Sequence, residues 1–137
     1  MPKPPNNFEK APAYLELQPL RIPAGWRIGW NTLHTTSRVD QGDFGGSSVF
    51  LATNEGRRFR IDVMFRPEHD PSGHFVLEIE YQPWPRTERG KRRDDLPFRF
   101  DTDSEIVHCF ETRSYAELVE ELETWIARCS VWEREGH

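Results

Sequence analysis

Two histidines and three carboxylates lie around one short stretch of the chain, and their types suit a metal site. His69 and Asp70 are adjacent, His74 follows Asp70 by four residues, and Asp62 and Glu78 flank the group. A metal site needs three or four such ligands converging at about 2.0 to 2.2 Å. The spacing of these residues argues against a metal site. A Pro-Ser-Gly turn separates His69 and Asp70 from His74, and charged residues on neighbouring strands, such as Asp62 and Glu78, usually pair with other strand charges. The sequence therefore predicts no metal and no other cofactor.

Nucleophilic chemistry is the second possibility, since Cys109 directly follows His108. A cysteine nucleophile and its base must lie within hydrogen-bond reach, whereas successive residues of a strand point to opposite faces. The chain contains no GxSxG, HExxH or GxxxxGK motif. Its glycine-rich stretch at residues 45–48 lacks the helix and lysine of a phosphate-binding loop. We therefore expect no catalytic residues and a protein that is not an enzyme.

Residues 84–95 combine one aromatic residue with a basic cluster, a mixture that single-strand nucleic-acid binders use. The basic side chains are Arg86, Arg89, Lys91, Arg92 and Arg93. Two observations oppose nucleic-acid binding: Asp94 and Asp95 follow directly, and the chain has a net charge of -5 with a pI near 5.5. The sequence predicts a surface excursion that meets solvent or a protein partner, and no nucleic acid.

A hairpin across residues 57–84 carries most of these groups. Two runs of alternating residues each place four large apolar side chains on one side: Phe59, Ile61, Val63 and Phe65, then Phe75, Leu77, Ile79 and Tyr81. The other side carries charges of both signs, from Arg58, Arg60, Asp62 and Arg66 in the first run and Glu78 and Glu80 in the second. A period of two is what a half-buried strand needs. The pattern predicts one apolar sheet face and one charged face without a helix, which is a natural surface for a partner.

Further strands are predicted at residues 26–34, where Trp26, Ile28 and Trp30 alternate with other residues, and at 48–53, 96–101 and 105–111. A helix follows, with Ser114 and Glu117 forming a capping box. Its apolar stripe consists of Tyr115, Leu118, Leu122, Trp125, Ile126, Cys129 and Trp132. Because neither element can hide its apolar side alone, we predict an α+β fold. It comprises an antiparallel sheet of five to six strands with a C-terminal amphipathic helix packed on one face.

The chain of 137 residues is the length of one domain. Residues 1–12 are rich in Pro and Asn and are expected to be loosely ordered, which leaves a single domain over 13–137. No apolar stretch resembles a signal peptide or reaches the roughly 18 residues of a membrane span, and the mean hydropathy is -0.77. The two cysteines form no CxxC motif, a usage that fits a reducing cytoplasm. We expect a cytoplasmic protein without membrane contact.

Three stretches have a familiar order and spacing: IPAGWRIGWNTLH, RRFRIDVMFRPEHDPSGHFVLEIEYQPW and CFETRSYAELVEELETWI. Between residues 19 and 126 the chain resembles the cytoplasmic immunity proteins of bacterial polymorphic toxin systems, of the contact-dependent growth inhibition and Rhs/WapA type. The matching residues are Ile22, Pro23, Trp26, Trp30, Asn31, Asp62, Pro67, Glu68, Asp70, Pro71, Gly73, Phe75, Thr112, Arg113, Leu118 and Val119. The chain departs from the pattern at residues 63–66, where the family has Gly-Trp-Tyr, and in the length of the 84–95 excursion.

The resemblance implies an immunity protein that binds the C-terminal domain of a cognate toxin and covers its active site. A basic nuclease is the expected toxin, because an acidic inhibitor gains association rate from opposite charge. The candidate partner-binding residues are Asp62, Glu78, Glu80, Asp94 and Asp95. Two alternatives remain open at this point. One is a general protein-interaction or adaptor module, and the other is a small metal-dependent enzyme using His69 and His74.

Overall fold

Five antiparallel strands and one long helix make up the fold, as a computed structural model shows for residues 16–45, 48–100 and 103–134. The elements are β1 (Arg27–Asn31), β2 (Phe50–Asn54), β3 (Phe59–Arg66), β4 (His74–Tyr81), β5 (Glu105–Thr112), a 3-10 helix (Val39–Gln41) and α1 (Tyr115–Val131). Each strand pairs with the next along the chain, so the sheet order is β1-β2-β3-β4-β5. The α+β prediction is confirmed with five strands. The segment 1–12 that we expected to be loosely ordered lies outside the described residues.

The β3–β4 hairpin has the two faces that its alternation predicts. The pairs run without interruption from Phe59 opposite Tyr81 to Arg66 opposite His74. All eight apolar residues of the predicted inner side are buried: Phe59, Ile61, Val63, Phe65, Phe75, Leu77, Ile79 and Tyr81. This hairpin therefore provides the central part of the core.

Helix α1 covers the apolar face and begins where the capping pattern predicts. The Ser114 hydroxyl accepts a hydrogen bond from the Glu117 amide at 3.2 Å. The reciprocal half of the predicted capping box is wrong, because the Glu117 carboxylate accepts from the Thr112 hydroxyl at 2.7 Å and Thr112 in turn accepts from the Ser114 amide. The cap thus links the end of β5 to the start of the helix. Within the predicted stripe, Leu118, Leu122, Trp125, Ile126 and Cys129 are buried.

Loops complete the core beyond the reach of the helix. Phe44 packs its ring against those of Phe65, Phe75 and Tyr115, with centroids 4.7 to 5.6 Å apart. At the other end of the helix, the Trp26 indole N–H donates to the Ser130 hydroxyl at 2.8 Å. Aromatic pairs in such tilted and edge-on arrangements add stability beyond their buried area. Helix α1 and these loops pack on the apolar face, so among the described residues no α-helix covers the opposite face of the sheet.

Two predicted strands differ from the structure. Residues 96–100 form no strand: the Phe98 and Phe100 rings meet edge-on at 5.0 Å and lie against the guanidinium groups of Arg58 and Arg60. In β1, Ile28 is opposite Ala52 but Trp30 is opposite Leu51, so the register shifts by one residue at Gly29. The alternation that places Trp30 on the same side as Ile28 is therefore wrong. A bulge of this kind re-aims the side chains that follow it.

Candidate functional site

The helix-free face of the sheet carries a row of side chains that crosses all five strands. Successive register pairs join its members in the order Trp30, Leu51, Asp62, Glu78 and Cys109, which we call the central row. Residues directly opposite each other on neighbouring strands share a face and have Cβ atoms about 4.5 to 5.5 Å apart. The row therefore places the two acidic side chains, Asp62 and Glu78, next to each other. Leu51 and then Trp30 follow on one side of this pair, and Cys109 lies on the other side.

Asp62 and Glu78 lie in surroundings that disfavour their charged forms. Partial burial raises the pKa of Asp62, and this outweighs the opposing hydrogen bond that its Oδ1 accepts from the Ser48 hydroxyl at 3.0 Å. Burial also raises the pKa of Glu78, and the negative charges of Glu80 and Asp62 raise it further. Like charges directly opposite on neighbouring strands destabilise a sheet. A cation brought to this pair by another molecule would remove that cost.

Glu80 differs from the other two sheet carboxylates because it forms a direct ion pair, whereas the charges of Arg60 and Arg66 only partly oppose the raised pKa values of Asp62 and Glu78. Arg60 stands opposite it, forms a two-nitrogen ion pair with it, and donates from Nε at 2.7 Å. The same guanidinium group lies 4.7 Å from the centre of the Phe100 ring. Both nitrogens contact the same Glu80 oxygen, Oε2, while the guanidinium group also lies over an aromatic ring. Glu80 therefore helps to hold residues 98–100 against the sheet.

Asp94 and Asp95 lie outside the five strands, and the structure does not join them to the central row. The Arg93 guanidinium donates to both carboxylate oxygens of Asp95, at 3.0 and 3.3 Å, and lowers the pKa of that group. Asp94 is exposed beside it. Of the five candidate residues, the sheet thus brings together Asp62, Glu78 and Glu80 and leaves the other two on a separate part of the surface.

The sequence did not predict that two apolar residues, Trp30 and Ile106, lie on this face. Trp30 remains 54% exposed at one end of the central row, and Ile106 remains 57% exposed opposite Glu80. Trp30 reaches this face only through the register shift at Gly29. An isolated glycine within a strand pattern is a known sign of a bulge, and it was the one signal that pointed to this placement.

The His69 region serves the hairpin turn. The His69 ring Nδ1 lies 3.1 Å from the Gly42 carbonyl oxygen, and its backbone amide donates to the Phe44 carbonyl at 2.6 Å. Asp70 accepts from the Ser72 hydroxyl and amide, and these bonds lower its pKa. Within residues 16–45, 48–100 and 103–134, no three His, Cys, Asp or Glu side chains are placed to hold a metal ion. The predicted turn is thus tied to the loop that carries Phe44.

His108 and Cys109 lie on opposite faces, as predicted for neighbours on a strand. The His108 ring stacks on Trp125 of α1 at 4.2 Å, and its Nε2 lies 3.1 Å from a Glu121 carboxylate oxygen. Cys109 sits on the helix-free face, where partial burial and the charges of Glu78 and Glu111 raise the pKa of its thiol. A raised pKa disfavours the thiolate that a nucleophile needs. The two side chains are therefore not arranged as a nucleophile with its base.

Comparison with known protein families, with curated proteins and with solved structures found no match to this chain. Among the described residues, no helix combines the length and the apolar character that crossing a bilayer requires. The resemblance in the sequence and the geometry of the helix-free face are therefore what bears on function.

Proposed function

We propose that this protein is an immunity protein that binds a cognate toxin domain through its helix-free face and covers the toxin's active site. The observation that supports this most is the central row, where two carboxylates with raised pKa values share one face with an exposed tryptophan two strands away from Asp62. A sheet optimised only for stability would not set Asp62 opposite Glu78. Groups with perturbed pKa values that cost stability are found most often where a protein acts.

The charge of the face fits a basic partner. The active site of a nuclease attracts phosphate and is therefore cationic, so it also attracts carboxylates. A lysine or arginine placed between Asp62 and Glu78 would stabilise both charged forms and lower both pKa values. The overall charge of -5 would in addition speed the encounter with a basic domain.

The apolar side chains of the face fit the anchor role in such an interface. Binding energy is usually concentrated in a few residues, and tryptophan is enriched among them. Trp30 stands at the end of the central row beside half-buried Leu51, while Ile106 offers a second exposed apolar group. The charged centre would attract a cationic partner, and the apolar residues on either side of it would exclude water from the interface. Protection by occlusion needs a Kd on the order of nanomolar.

Co-expression with the toxin domain encoded by the neighbouring gene tests the proposal. We expect growth to be restored and the two proteins to purify as a one-to-one complex. If toxicity persists although this protein is soluble and folded, the proposal is wrong. Capture of several unrelated proteins in place of one toxin would instead favour a general interaction module.

A charge-neutral double variant, Asp62→Asn with Glu78→Gln, tests the docking face. We expect it to weaken toxin binding by roughly tenfold or more, because close charge pairs across interfaces couple by about 1.5 kcal/mol or more. The matched control is Glu120→Gln on the exposed side of α1. Equal affinities for the double variant and the control would move the interface to another surface.

A further inference from the structure

A cleft lies at the end of the β3–β4 hairpin, away from the central row. It encloses about 600 Å³, within the range of roughly 300 to 1,000 Å³ that is usual for ligand sites. Its lining residues are Arg58, Gln82, Pro83, Trp84, Pro85, Leu96, Pro97, Arg99 and Asp103. The hairpin pair nearest to it, Phe59 with Tyr81, is three residues from Asp62, or roughly 10 Å along the strand. The cleft is thus separate from the central row, although the Phe100 ring next to it packs on Arg60 of the helix-free face.

Arg58 ties the two walls of this cleft together. Its side chain is only 6% exposed, and its guanidinium group donates to the Gln82 carbonyl at 3.0 Å and to the Pro83 carbonyl at 3.2 Å. The same group lies 4.5 Å from the ring centres of both Trp84 and Phe98. The alternation of residues had placed Arg58 on the charged sheet face. Instead it precedes β3 with a φ of 69° and joins residues 82–84 to residue 98.

The outer wall is supported by a small hairpin within residues 85–93. Its backbone bonds run from the Arg93 amide to the Pro85 carbonyl at 2.7 Å and from the Thr87 amide to the Lys91 carbonyl at 2.8 Å. Arg92 lies 3.9 Å from the centre of the Trp84 ring, so two guanidinium groups hold that ring. The cleft is therefore preorganised, although neither of its walls belongs to the sheet. Preorganisation reduces the entropy that a ligand must lose on binding.

The lining combines apolar walls with cationic charge. Leu96 and the rings of three prolines form the apolar part, and two of the three charged side chains, Arg58 and Arg99, are cations. Residues 83–103, the range that includes the lining residue Asp103, contain six basic and five acidic residues in a chain whose net charge is -5. The lining itself has two cations, Arg58 and Arg99, against one anion, Asp103. An anionic group would be favoured here and a cationic one disfavoured.

From this geometry we infer that the cleft is a binding site for an apolar carboxylate, a group with a compact apolar body and one anionic end. The apolar body contacts Leu96 and the prolines, and the carboxylate pairs with Arg99 at the rim. Free organic acids and the C-terminal residue of a peptide both have this chemistry. The site goes beyond the proposed toxin binding and does not depend on it.

Titration of the isotope-labelled full-length protein with phenylacetate, followed by NMR, tests the inference. We expect saturable shifts at the Trp84 indole N–H and at the Leu96 and Arg99 amides. The Kd should be in the low millimolar range that suits a ligand of about ten heavy atoms. Phenethylamine, which has the same ring with a cationic end, should bind at least about tenfold more weakly. Absence of saturable shifts, shifts confined to other residues, or equal binding of the amine would overturn the inference.

Substitution of the rim arginine identifies the anion contact. Arg99→Gln should weaken phenylacetate binding at least about fivefold, since a charged hydrogen bond is lost, while the spectrum otherwise remains that of the folded protein. The control is Arg89→Gln, in the exposed turn of the 85–93 hairpin, which should leave binding unchanged. Equal loss in both variants would show only a general effect of charge and would contradict a defined site.

A peptide pair distinguishes the two sources of the carboxylate. Acetyl-Ala-Ala-Phe with a free carboxyl end is compared with the same peptide carrying a terminal amide. If the free-acid peptide binds at least as tightly as phenylacetate, the site takes a peptide terminus. If it does not bind while phenylacetate does, the site takes a free acid. Equal binding of the amidated peptide would overturn the requirement for a carboxylate.

Discussion

The two faces of one sheet are built from the same strands but carry very different side chains. On the helix-covered face, every inward residue of the β3–β4 hairpin is apolar and buried, and Phe44, Tyr115 and α1 complete the packing. On the helix-free face, Asp62 stands opposite Glu78 and Trp30 is largely exposed. The first face supplies the stability of the fold. The second gives up some stability, which is the arrangement expected of a surface that meets another molecule.

Neighbouring rows of the helix-free face show the same contrast on a smaller scale. Two residue pairs along the hairpin from Asp62 and Glu78, Arg60 and Glu80 form an opposite-charge pair, and the Arg60 guanidinium group also lies over the Phe100 ring. The chain is thus able to satisfy a carboxylate on this face. The mismatch in the central row is therefore local, and it lies where no other element covers the sheet among the described residues.

The largest predicted effect is a loss of folding stability when a buried residue of the helix-covered face is truncated. Phe75→Ala removes a ring that contacts Phe44, Phe65 and Tyr115, so we expect a loss of about 3 to 5 kcal/mol in the free energy of unfolding. Urea denaturation measures it. Val76→Ala, next to it on the opposite face, is the control and should cost less than about 1.5 kcal/mol. Similar losses in both variants would break the distinction between the faces.

The second predicted effect is a loss of affinity for the toxin domain when an exposed residue of the helix-free face is truncated. Trp30→Ala should weaken the complex with the toxin domain by about 2 kcal/mol or more, roughly thirtyfold, because an exposed tryptophan anchor loses its contacts with the partner. Isothermal titration calorimetry measures the affinity, and the free energy of unfolding should change by less than about 1 kcal/mol. Ile28→Ala, on the same strand before the register shift, should bind normally. Weakening by Ile28→Ala alone would place the interface on the other side of β1.

The third predicted effect is a loss of folding stability when the N-terminal cap of α1 is removed. Ser114→Ala removes the acceptor for the Glu117 amide and should lower the free energy of unfolding by about 1 kcal/mol. Chemical denaturation measures the loss, and affinity for the toxin domain should stay unchanged because the cap is remote from the central row. Ser114→Asp retains an acceptor and should restore most of the stability. A variant that bound the toxin more weakly would show that the two faces are coupled.

The smallest effect should appear in the pH dependence of stability. Because the pKa of Glu78 is raised in the folded protein, the folded state holds this proton more tightly than the unfolded state does. The contribution of Glu78 to stability is therefore complete below its ordinary value of 4.5 and is lost as the pH rises through the folded-state pKa. Glu78→Gln should raise the melting temperature at pH 7, and this gain should disappear below about pH 4. Glu120→Gln, on the exposed side of α1, is the control for the loss of one negative charge.

A melting temperature of Glu78→Gln at or below that of the unmodified protein at pH 7 would contradict a cost of the carboxylate pair. A stabilised variant that also binds the toxin domain less well would sharpen the comparison. It would show directly that the helix-free face exchanges stability for binding.

Elements with strong local patterns were predicted well from the sequence. The alternation at 59–65 and 75–81 identified the two central strands and their faces, and the stripe behind Ser114 identified α1. Both patterns depend on neighbours two, three or four residues away, which share a face by geometry alone. Asp62, Glu78 and Glu80 were placed on one face for the same reason.

Contacts between distant segments were not predictable in this way. Phe98 and Phe100 alternate as strand residues do, yet their rings pack on arginines that are about 40 residues earlier in the chain. The pairing of Glu80 with Arg60 also depends on the strand register, which places the two residues opposite each other. Local patterns do not identify such partners.

The sequence by itself determined the two central strands, which side of their hairpin is apolar and where the helix begins, because each follows from short-range periodicity. Only the tertiary structure decided where Trp30 points. The pairing of β1 with β2 accommodates one extra residue at Gly29, and with a side-chain period of two a single-residue shift moves a side chain to the other face. That shift depends on the partner strand and is not encoded in the alternation of β1 alone.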